Sequence, residues 1–505
     1  MKQLLLALVA AAVAVSSLVA NLTAQKSSSP PALRSQEHER SETKTPDVSL
    51  PPEVRARGRG VPSSLVLLYT ASANGQIRSC NCTKFRFGGY ARELTLLKSI
   101  RSDCSDVILI EGGDTCGWTG FQAQLKAGIT AQAFKLLDYD AMIPGEEELG
   151  VRGARYIDCF DPKEVPIVCA NLFEADKDTP TYLPYVILKT TSGLKIGVIA
   201  LLDVSVEKMF ISKSFTETVA DPADILKPLV KEVRGKSDLV LVVFHATAAE
   251  AEKLADVGGV DMILSTHRTA KKVKFPAQDT NEVEAPVKTH NGVVLVDAGT
   301  KANWSLGRVD LELTSDTKIK TAKHTLSYLD RRYEEDPAMV KIYDQYNEKV
   351  KQAVLINSAK LQEDAEARLI KRGFNPEEMR KRLRNSPFAT AERCKECHQG
   401  VYESWSQSRH ARAIAALEKT NQDYDPECIT CHATGVLVRH GFENRKETPE
   451  LVNVQCESCH GPGLAHAKVP SRDLPKAGEQ ICRSCHTDER TPDFNFETAW
   501  AKVKH

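Results

Sequence analysis

The stretch Cys394-Lys-Glu-Cys-His398 is the first of four pentapeptides with one spacing in the C-terminal part of the chain. The others are CITCH at 428–432, CESCH at 456–460 and CRSCH at 482–486. Two thiols at this spacing form thioethers with the two vinyl groups of one haem, and the next residue brings an imidazole to the iron. Four copies therefore predict four haem c groups. The predicted attachment residues are Cys394, Cys397, His398, Cys428, Cys431, His432, Cys456, Cys459, His460, Cys482, Cys485 and His486.

Zinc is the main alternative partner for these thiols, because paired Cys-x-x-Cys units also form zinc ribbons. Zinc does not require a histidine after every pair, whereas haem attachment does. Short disulfides are a further alternative, although a repeated Cys-x-x-Cys bridge is typical of redox chemistry and not of structural cross-linking. The repeated histidine favours haem.

Each haem iron bound by one of these proximal histidines has a sixth position that a second ligand can fill. The segment offers four further imidazoles, at His410, His440, His466 and His505. The number of additional imidazoles is therefore close to the number needed to fill the sixth positions of the irons. An iron with two imidazole ligands exchanges electrons with little rearrangement, which suits electron transfer, whereas a five-coordinate iron leaves room for a small ligand.

Residues 387–505 resemble the tetrahaem cytochrome c family of the hydroxylamine-oxidation pathway. The residues that carry the resemblance, beside the four motifs, are Tyr402, Trp405, Ser408, His410, Ala411, Thr434, Gly435, Gly461, Gly463, His466, Trp500 and His505. It implies that His410, His466 and His505 are distal iron ligands, each donated to a haem other than the nearest in sequence. The haem on His432 is then five-coordinate. His440 lies outside the family pattern, and the open position disappears if this histidine binds.

Short Val/Ile/Leu runs alternate with helical stretches through residues 61–330. The runs are 64–69, 107–110, 165–170, 196–201, 239–244, 262–264 and 293–296. Buried strands alternating with helices predict an α/β layered domain.

This region resembles the metallophosphatase domain of exported 5'-nucleotidases. The correspondence runs through 69–76, Gly88, Gly89, Arg92, 112–114, 140–148, Asn171, 195–199, His245, 261–269, Gly299, Leu306 and Gly307. The resemblance implies a four-layer sandwich whose two metal ions, held at strand ends, activate a water and clamp a phosphate. The predicted fold is therefore an α/β four-layer metallophosphatase-like sandwich, followed by a helical connector and a mostly α, haem-cored tetrahaem cytochrome c domain.

The ligand set that this resemblance implies is incomplete. Ser72 and Asn74 stand where the family has Asp-x-His, and residues 145–148 read Gly-Glu-Glu-Glu in place of Gly-Asn-His-Glu. The final His-x-His is reduced to His267 and Thr269. Because each ion of a two-metal site needs several carboxylate and imidazole ligands, these losses predict a domain that is inactive as a phosphatase.

Asp114, His245 and His267 survive from that set. They can hold a single divalent metal ion with help from Glu146, or they can form a relic polar cluster that is satisfied by hydrogen bonds and water. A metal-dependent phosphoesterase with an electron-transfer module therefore stays open as an alternative function.

Six cysteines lie outside the haem motifs, at Cys80, Cys82, Cys104, Cys116, Cys159 and Cys169. Cys80 and Cys82 on the first loop, and Cys116 behind Asp114, can approach the metal pocket and form a soft-metal site. Disulfides in an oxidising compartment are the alternative for some pairs, and a buried thiol is the alternative for Cys169.

The remaining sequence divides the chain into five parts. Residues 1–24 read as an export signal peptide, 25–60 as a flexible linker, 61–330 as the α/β domain, 331–386 as a helical connector and 387–505 as the haem domain. We expect a periplasmic or otherwise exported protein, with membrane contact only through an uncleaved N-terminal anchor.

Charge adds one exclusion, because 67 Lys and Arg residues balance 67 Asp and Glu residues. This balance gives no electrostatic reason to expect nucleic acid as a partner. The leading prediction is an electron carrier that serves redox partner proteins. An oxidoreductase acting on a small nitrogen or oxygen species at the His432 haem is the second prediction.

Overall fold

The computed structural model describes most of the chain after residue 63. The described residues are 64–79, 87–117, 121–151, 153–175, 177–210, 216–267, 282–298, 304–370, 386–436, 438–487, 490–491 and 494–505. The predicted signal peptide and linker, together with Cys80, Cys82, Thr269 and Gly299, lie outside them. No helix within the described ranges combines the length and the apolar character that a bilayer-spanning segment needs.

Fourteen strands are present in the described residues, and twelve of them form two six-stranded sheets. The order is β10-β14-β13-β1-β2-β3 in the first sheet and β11-β12-β9-β8-β6-β5 in the second, while β4 pairs with β7. The strands are β1 (Ser64–Thr70), β2 (Val107–Glu111), β3 (Ala141–Met142), β4 (Leu172–Glu174), β5 (Tyr185–Lys189), β6 (Lys195–Leu202), β7 (Glu217–Val219), β8 (Leu239–His245), β9 (Met262–Ser265), β10 (Glu282–Ala285), β11 (Val287–His290), β12 (Val293–Asp297), β13 (Ser305–Leu313) and β14 (Ile319–Tyr328).

Helices cover the outer faces of the two sheets and build most of the C-terminal segment. In the α/β domain they are α1 (Tyr90–Asp103), α2 (Phe121–Leu137), α3 (Glu146–Leu149), α4 (Ser205–Met209), α5 (Pro222–Arg234) and α6 (Ala248–Leu254), followed by the long α7 (Pro337–Ile370). The C-terminal segment has α8 (Ala391–Lys395), α9 (Gln399–Ser406), α10 (Ile414–Glu418), α11 (Pro426–His432), α12 (Cys456–His460), α13 (Leu464–Lys468), α14 (Glu479–Arg483) and α15 (Phe496–Trp500).

The core of the α/β domain has the layering predicted from the sequence. One apolar cluster lies between the sheets and joins residues such as Leu67 and Val198 from their facing strands. A second cluster packs α1, α2 and α7 on the first sheet, and a third packs α5 and α6 on the second. The order helix, sheet, sheet, helix is a four-layer sandwich, and the predicted fold class is confirmed.

The strand predicted over 165–170 is wrong. Only single bridges form there, between Ile167 and Met142 and between Val168 and Leu183. Pro166 has no N–H to donate to a ladder, so a regular strand is interrupted at this residue. Most of the run is nevertheless buried, which accounts for its apolar composition.

The helical connector packs on the α/β domain. Met339, Tyr343, Tyr346 and Val350 on one side of α7 belong to the apolar cluster that covers the first sheet. These residues recur at intervals of three and four, which is the spacing of one helix face. The first half of α7 is therefore part of that domain's packing.

Candidate haem and metal sites

Short helices carry the Cys-x-x-Cys-His motifs. The backbone N–H of His398 donates to the carbonyl of Cys394 at 2.9 Å, and His486 donates to Cys482 in the same way at 2.9 Å. This i to i−4 bond closes one helical turn, so both thiols and the imidazole are presented from the same short turn. The local conformation suits attachment of one haem per motif.

Six histidines of the C-terminal segment lie in three ring pairs. The ring centres are 6.2 Å apart for His398 and His466, 6.3 Å for His410 and His486, and 5.6 Å for His460 and His505. An ion bound to two imidazoles through bonds of about 2 Å holds the ring centres about 6 Å apart. In each pair one histidine comes from a motif and the other comes from outside the motifs, so the donor set fits haem iron.

Hydrogen bonds at Nδ1 orient several of these rings. His460 Nδ1 contacts the carbonyl oxygen of Pro475 at 3.1 Å, and His466 Nδ1 contacts that of Arg472 at 2.7 Å. His432 Nδ1 contacts the carbonyl oxygen of Ala413 at 2.6 Å. An Nδ1–H that donates to a carbonyl fixes the tautomer in which Nε2 carries the lone pair for a metal.

His432 differs from the other three motif histidines. Among the described residues, no imidazole makes a ring contact with it. The histidine nearest in sequence on its C-terminal side, His440, has a backbone φ of 63° and accepts a hydrogen bond from Ser386 Oγ through its carbonyl oxygen at 3.0 Å. The five-coordinate haem on His432, and the place of His440 outside the ligand set, stay predictions.

Contacts between thiols show how the motifs neighbour one another. Cys394 donates a hydrogen bond to Cys456, and Cys431 donates one to Cys485, which lowers the pKa of Cys485 to about 6. The first motif therefore lies beside the third, and the second lies beside the fourth. The four attachment sites form two adjacent pairs.

A second cluster of ligand-type side chains lies in the α/β domain. One ligand atom from each of Asp114, Glu146, His245 and His267 falls within 4.8 Å of the others. Asp114 follows β2, Glu146 begins α3, His245 ends β8 and His267 follows β9. Because β2 and β8 run parallel to their neighbours β1 and β9, these residues come from the carboxyl ends of parallel strands, where α/β sheets collect functional groups.

Hydrogen bonds already link these four side chains. His245 Nε2 is 2.9 Å from Glu146 Oε2 and 3.5 Å from Asp114 Oδ2, and His267 Nε2 is 3.2 Å from Glu146 Oε1. Burial disfavours the charged form of His245, but the carboxylates of Asp114 and Glu146 raise its pKa well above the ordinary value. Burial also disfavours ionised Glu146, yet the two histidines lower its pKa. The pocket therefore balances two carboxylates against two imidazoles.

The loop that carries Asp114 is held by a buried acid. Glu148 is fully buried and accepts the backbone N–H groups of Asp114, Cys116 and Gly145 at 2.8, 2.6 and 2.9 Å. Asp114 has a φ of 57°, a conformation that L-residues rarely adopt without such support. A Cβ at Gly145 would collide with the Asp114 carboxylate, so this position needs glycine.

Three positions beside this cluster, Ser72, Asn74 and Glu147, carry no imidazole. Asn74 donates from Nδ2 to the Ser72 carbonyl at 2.7 Å, and Ser72 donates from Oγ to the Thr266 carbonyl at 3.4 Å. Glu147 donates its backbone N–H to Asp114 Oδ1 at 3.3 Å. These polar groups bond to the protein itself, and none of the three side chains is an imidazole.

Of the cysteines outside the motifs, Cys116 is buried beside this pocket, and Cys169 is buried with its thiol 3.8 Å from Asn171 Oδ1. Cys104, Cys116, Cys159 and Cys169 are free thiols. The buried-thiol interpretation is therefore confirmed for Cys169. The soft-metal hypothesis depends on Cys80 and Cys82, which lie outside the described residues.

Comparison with known proteins identifies the C-terminal segment. Residues 393–461 match the family described as cytochrome c554 and c-prime. This segment is similar to the cytochromes c of that family. Cytochrome c-554 from Nitrosomonas europaea is 29% identical over 137 residues, which cover 20% of this chain and 58% of that protein.

The α/β domain has different relatives. The 5'-nucleotidase from Rattus norvegicus is 30% identical over 193 residues, which cover 36% of this chain and 32% of that protein. The crystal structure of a 5'-nucleotidase precursor from Thermus thermophilus superposes with a TM-score of 0.50 at 19% identity, covering 58% of this chain and 60% of that one. Both resemblances drawn from the sequence are confirmed, while the chain spans less than two thirds of each of these relatives.

Sequence patterns did not mark Glu148 and Glu111 as buried acidic residues of this candidate metal pocket. Glu148 falls only within an altered motif, and Glu111 belongs to no motif. Glu111 is 1% exposed, its Oε1 has no hydrogen-bond partner among the described residues, and burial together with the neighbouring Glu148 carboxylate raises its pKa well above the usual range. An acidic residue at the end of a run as apolar as 107–110 is the sequence signal that marks Glu111.

Proposed function

We propose that this protein is an exported electron carrier with four covalently attached haems c, joined to a metallophosphatase-like domain that does not hydrolyse phosphate esters. Similarity of the C-terminal segment to the cytochrome c family supports a multihaem electron-carrier role. The observation that carries the proposal is the set of three imidazole pairs, because each spacing suits one iron.

The three ring pairs support one distal ligand for each of three haems. His466 serves the haem on His398, His505 the haem on His460, and His410 the haem on His486. Iron with two imidazole ligands gains and loses one electron with little change in its coordination, which is the chemistry that an electron carrier needs. The haem on His432 takes no second imidazole in this assignment.

The chain itself attaches, orients and gathers the haems. The four motifs supply eight thiols for thioether bonds, and the Nδ1 hydrogen bonds of His432, His460 and His466 hold their rings with Nε2 facing the metal. Donation of each distal histidine across the segment ties distant parts of the chain together. The proximity of Cys394 to Cys456 and of Cys431 to Cys485 supports attachment sites that lie near one another, so electrons have short paths between haems.

A specific observation favours a second function, which is reduction or oxidation of a small nitrogen or oxygen species at the His432 haem. No described imidazole pairs with His432, whereas each of the other three motif histidines has a partner. A ligand position left open is what such chemistry requires. The two functions are compatible, because an oxidoreductase of this type also needs the other haems as an electron supply.

The α/β domain holds, in this proposal, one divalent metal ion on Asp114, Glu146, His245 and His267. Two carboxylates and two imidazoles suit a divalent ion of the first transition series or zinc. Ser72 and Asn74 cannot replace the aspartate and histidine of the second ion site. With a single ion, the bridged clamp that aligns a phosphate ester with its attacking water is missing.

The first experiment is the intact mass, under denaturing conditions, of protein made in a host with c-type cytochrome maturation, together with a pyridine haemochrome spectrum. Four haem masses that stay bound support the proposal. A haem-free chain containing zinc would overturn it. Electron paramagnetic resonance on the same sample then separates the two functions, since a high-spin signal from one haem is expected and wholly low-spin spectra would remove the oxidoreductase.

The metal proposal is tested by elemental analysis of the same protein and of His267→Ala. We expect one divalent ion per chain besides haem iron, and at least about a tenfold weaker affinity in the variant, because even indirect partners of a metal contribute that much. Phosphate release from nucleotides with added manganese or zinc should be absent in both. Hydrolysis that His267→Ala abolishes would show an active phosphoesterase.

A further inference from the structure

The first two turns of α2 contact the C-terminal segment. Gln122 Nε2 donates to Asp425 Oδ1 at 2.6 Å and to Tyr346 Oη at 2.9 Å. Lys126 Nζ donates to both carboxylate oxygens of Glu427, at 2.7 and 2.6 Å. Gln122 and Asp425 are buried, so water screens their contact weakly. In the Lys126–Glu427 pair the two side chains are 12% and 42% exposed, so water screens these charges in part.

Asp425 and Glu427 belong to the start of the helix that carries the second haem motif. Asp425 is the N-cap of α11, and its carboxylate accepts the backbone N–H of Glu427 at 2.9 Å. Pro426 occupies the first helical turn, a position that suits its fixed φ. The same helix holds the thiols of Cys428 and Cys431 and ends at His432. Contact with α2 therefore reaches the cap of the His432 attachment helix.

The connector helix α7 contacts the residues just before this cap. Asn347 Nδ2 donates to the Thr420 carbonyl at 3.4 Å, and the Lys351 ammonium lies 5.1 Å from the centre of the Tyr424 ring. Arg78 links this contact to the α/β domain, because its Nη2 donates to Asn347 Oδ1 at 3.0 Å. The contacts of Asn347 and Lys351 therefore end, like those of Gln122 and Lys126, on residues 420–427, which precede the second motif.

We propose that the α/β domain positions the His432 haem, with Gln122 and Lys126 holding the N-cap of its attachment helix, so that the reduction potential of this haem depends on that domain. The inference rests on the proposed attachment of a haem to Cys428 and Cys431, but not on the open coordination position. The metallophosphatase-like domain thereby has a role in the redox chemistry that does not require catalysis of its own.

The charges of Lys126 and Glu427 predict the direction in which the reduction potential shifts when either side chain is removed. Lys126 is a nearly buried cation beside the attachment helix, and its removal leaves the Glu427 carboxylate uncompensated. More negative charge near an iron stabilises its oxidised form and lowers the reduction potential. Removal of the carboxylate leaves the cation and raises the potential. Opposite shifts from the two partners of one ion pair distinguish an electrostatic contribution from simple loss of structure.

The test is a spectroelectrochemical titration of the full haem-loaded protein, resolving the four potentials in wild type, Lys126→Ala and Glu427→Gln. We expect one of the four potentials to move, downward in Lys126→Ala and upward in Glu427→Gln, with the other three unchanged. The matched control is Lys135→Ala, because Lys135 lies on the same helix but pairs with Glu164 inside the α/β domain at 2.7 Å. This control should leave all four potentials in place.

The affected haem is identified with Cys428→Ala/Cys431→Ala, which lacks the thiols for the second haem. In this background Lys126→Ala should leave the three remaining potentials unchanged. Equal shifts of all four potentials, shifts of the same sign in both charge variants, or no shift would overturn the inference. A wild-type protein with only low-spin haem would contradict the open site proposed above and leave this test intact, whereas a chain without four haems would contradict the proposed function first.

Discussion

The α/β domain and the C-terminal segment build their interiors in different ways. Four apolar clusters fill the described part of the α/β domain, and strands such as β8 are buried along their whole length. The apolar cluster of the C-terminal segment is small and is made of Phe388, Ile414, Leu417, Ile429, Ala433, Phe442 and Leu451. No residue of the described helices α9, α13, α14 or α15 is buried. A segment with so little apolar interior needs another component to fill it, and the proposed covalently attached haems would supply that component.

Production of the protein without haem should have the largest effect on the difference between the two regions. In a host without c-type cytochrome maturation, we expect the α/β domain to fold and the segment 387–505 to lose its structure, because its imidazoles and thiols have nothing to surround. Hydrogen exchange measured by mass spectrometry reads both regions in one sample. Slow exchange of β8 amides with fast exchange of α12 and α14 amides is the expected result. Strong protection throughout the haemless segment would contradict it.

A smaller change removes one iron ligand and keeps all four attachments. In His466→Ala the haem on His398 should lose its sixth ligand and become high-spin, which electron paramagnetic resonance and the visible spectrum report. The matched control is His440→Ala, because His440 lies in the same segment and pairs with no imidazole in the described part of the chain. We expect this control to keep the wild-type spectrum. New high-spin iron in His440→Ala and none in His466→Ala would reverse the assignment.

The smallest predicted effect concerns a buried acid of the α/β domain. Glu93 is fully buried and accepts a hydrogen bond from Tyr139 at 2.7 Å, and burial raises its pKa from 4.5 to about 7. Between these two values the folded state holds a proton that the unfolded chain has lost. Stability contributed by this proton is therefore present below pH 4.5 and is lost as the pH rises toward 7.

The variant Glu93→Gln keeps the acceptor oxygen and removes the ionisation. At about pH 8 we expect the free energy of unfolding of the α/β domain to rise by up to about 3 kcal/mol, with little change at about pH 4.5. Urea unfolding at both pH values measures the difference. The exposed Glu312→Gln serves as control and should keep the pH dependence of the wild type. An equal effect of Glu93→Gln at both pH values would show that the carboxyl is already ionised at low pH.

Sequence patterns predicted the α/β strands well where runs were purely apolar. The runs at 239–244 and 293–296 became β8 and β12, whereas the run at 165–170 failed because Pro166 interrupts the ladder. Strand β14 was missed, since most of its residues are exposed or only partly buried and its first half is rich in Lys and Thr. Burial on both faces leaves a signal in composition that the partial burial of β14 does not.

The prediction of the haem attachment sites rests on local chemistry alone. A thiol pair and an imidazole within one helical turn need only five residues. Each of the four motifs therefore predicts haem attachment independently of its position in the fold. The reduced metal-ligand set was equally visible, because Ser72 and Asn74 cannot donate the ligands that Asp and His provide.

Only tertiary structure brings His398 to His466, sets Glu148 beneath the Asp114 loop, and rests Gln122 on the cap of α11. Each of these contacts joins residues far apart in sequence, and nothing in the local spacing encodes which pairs meet. Their geometry depends on how helices and sheets pack, which the chain as a whole decides. Residue types and their local spacing fix which ligands and attachment groups each segment offers. Packing fixes which of these groups lie close to one another.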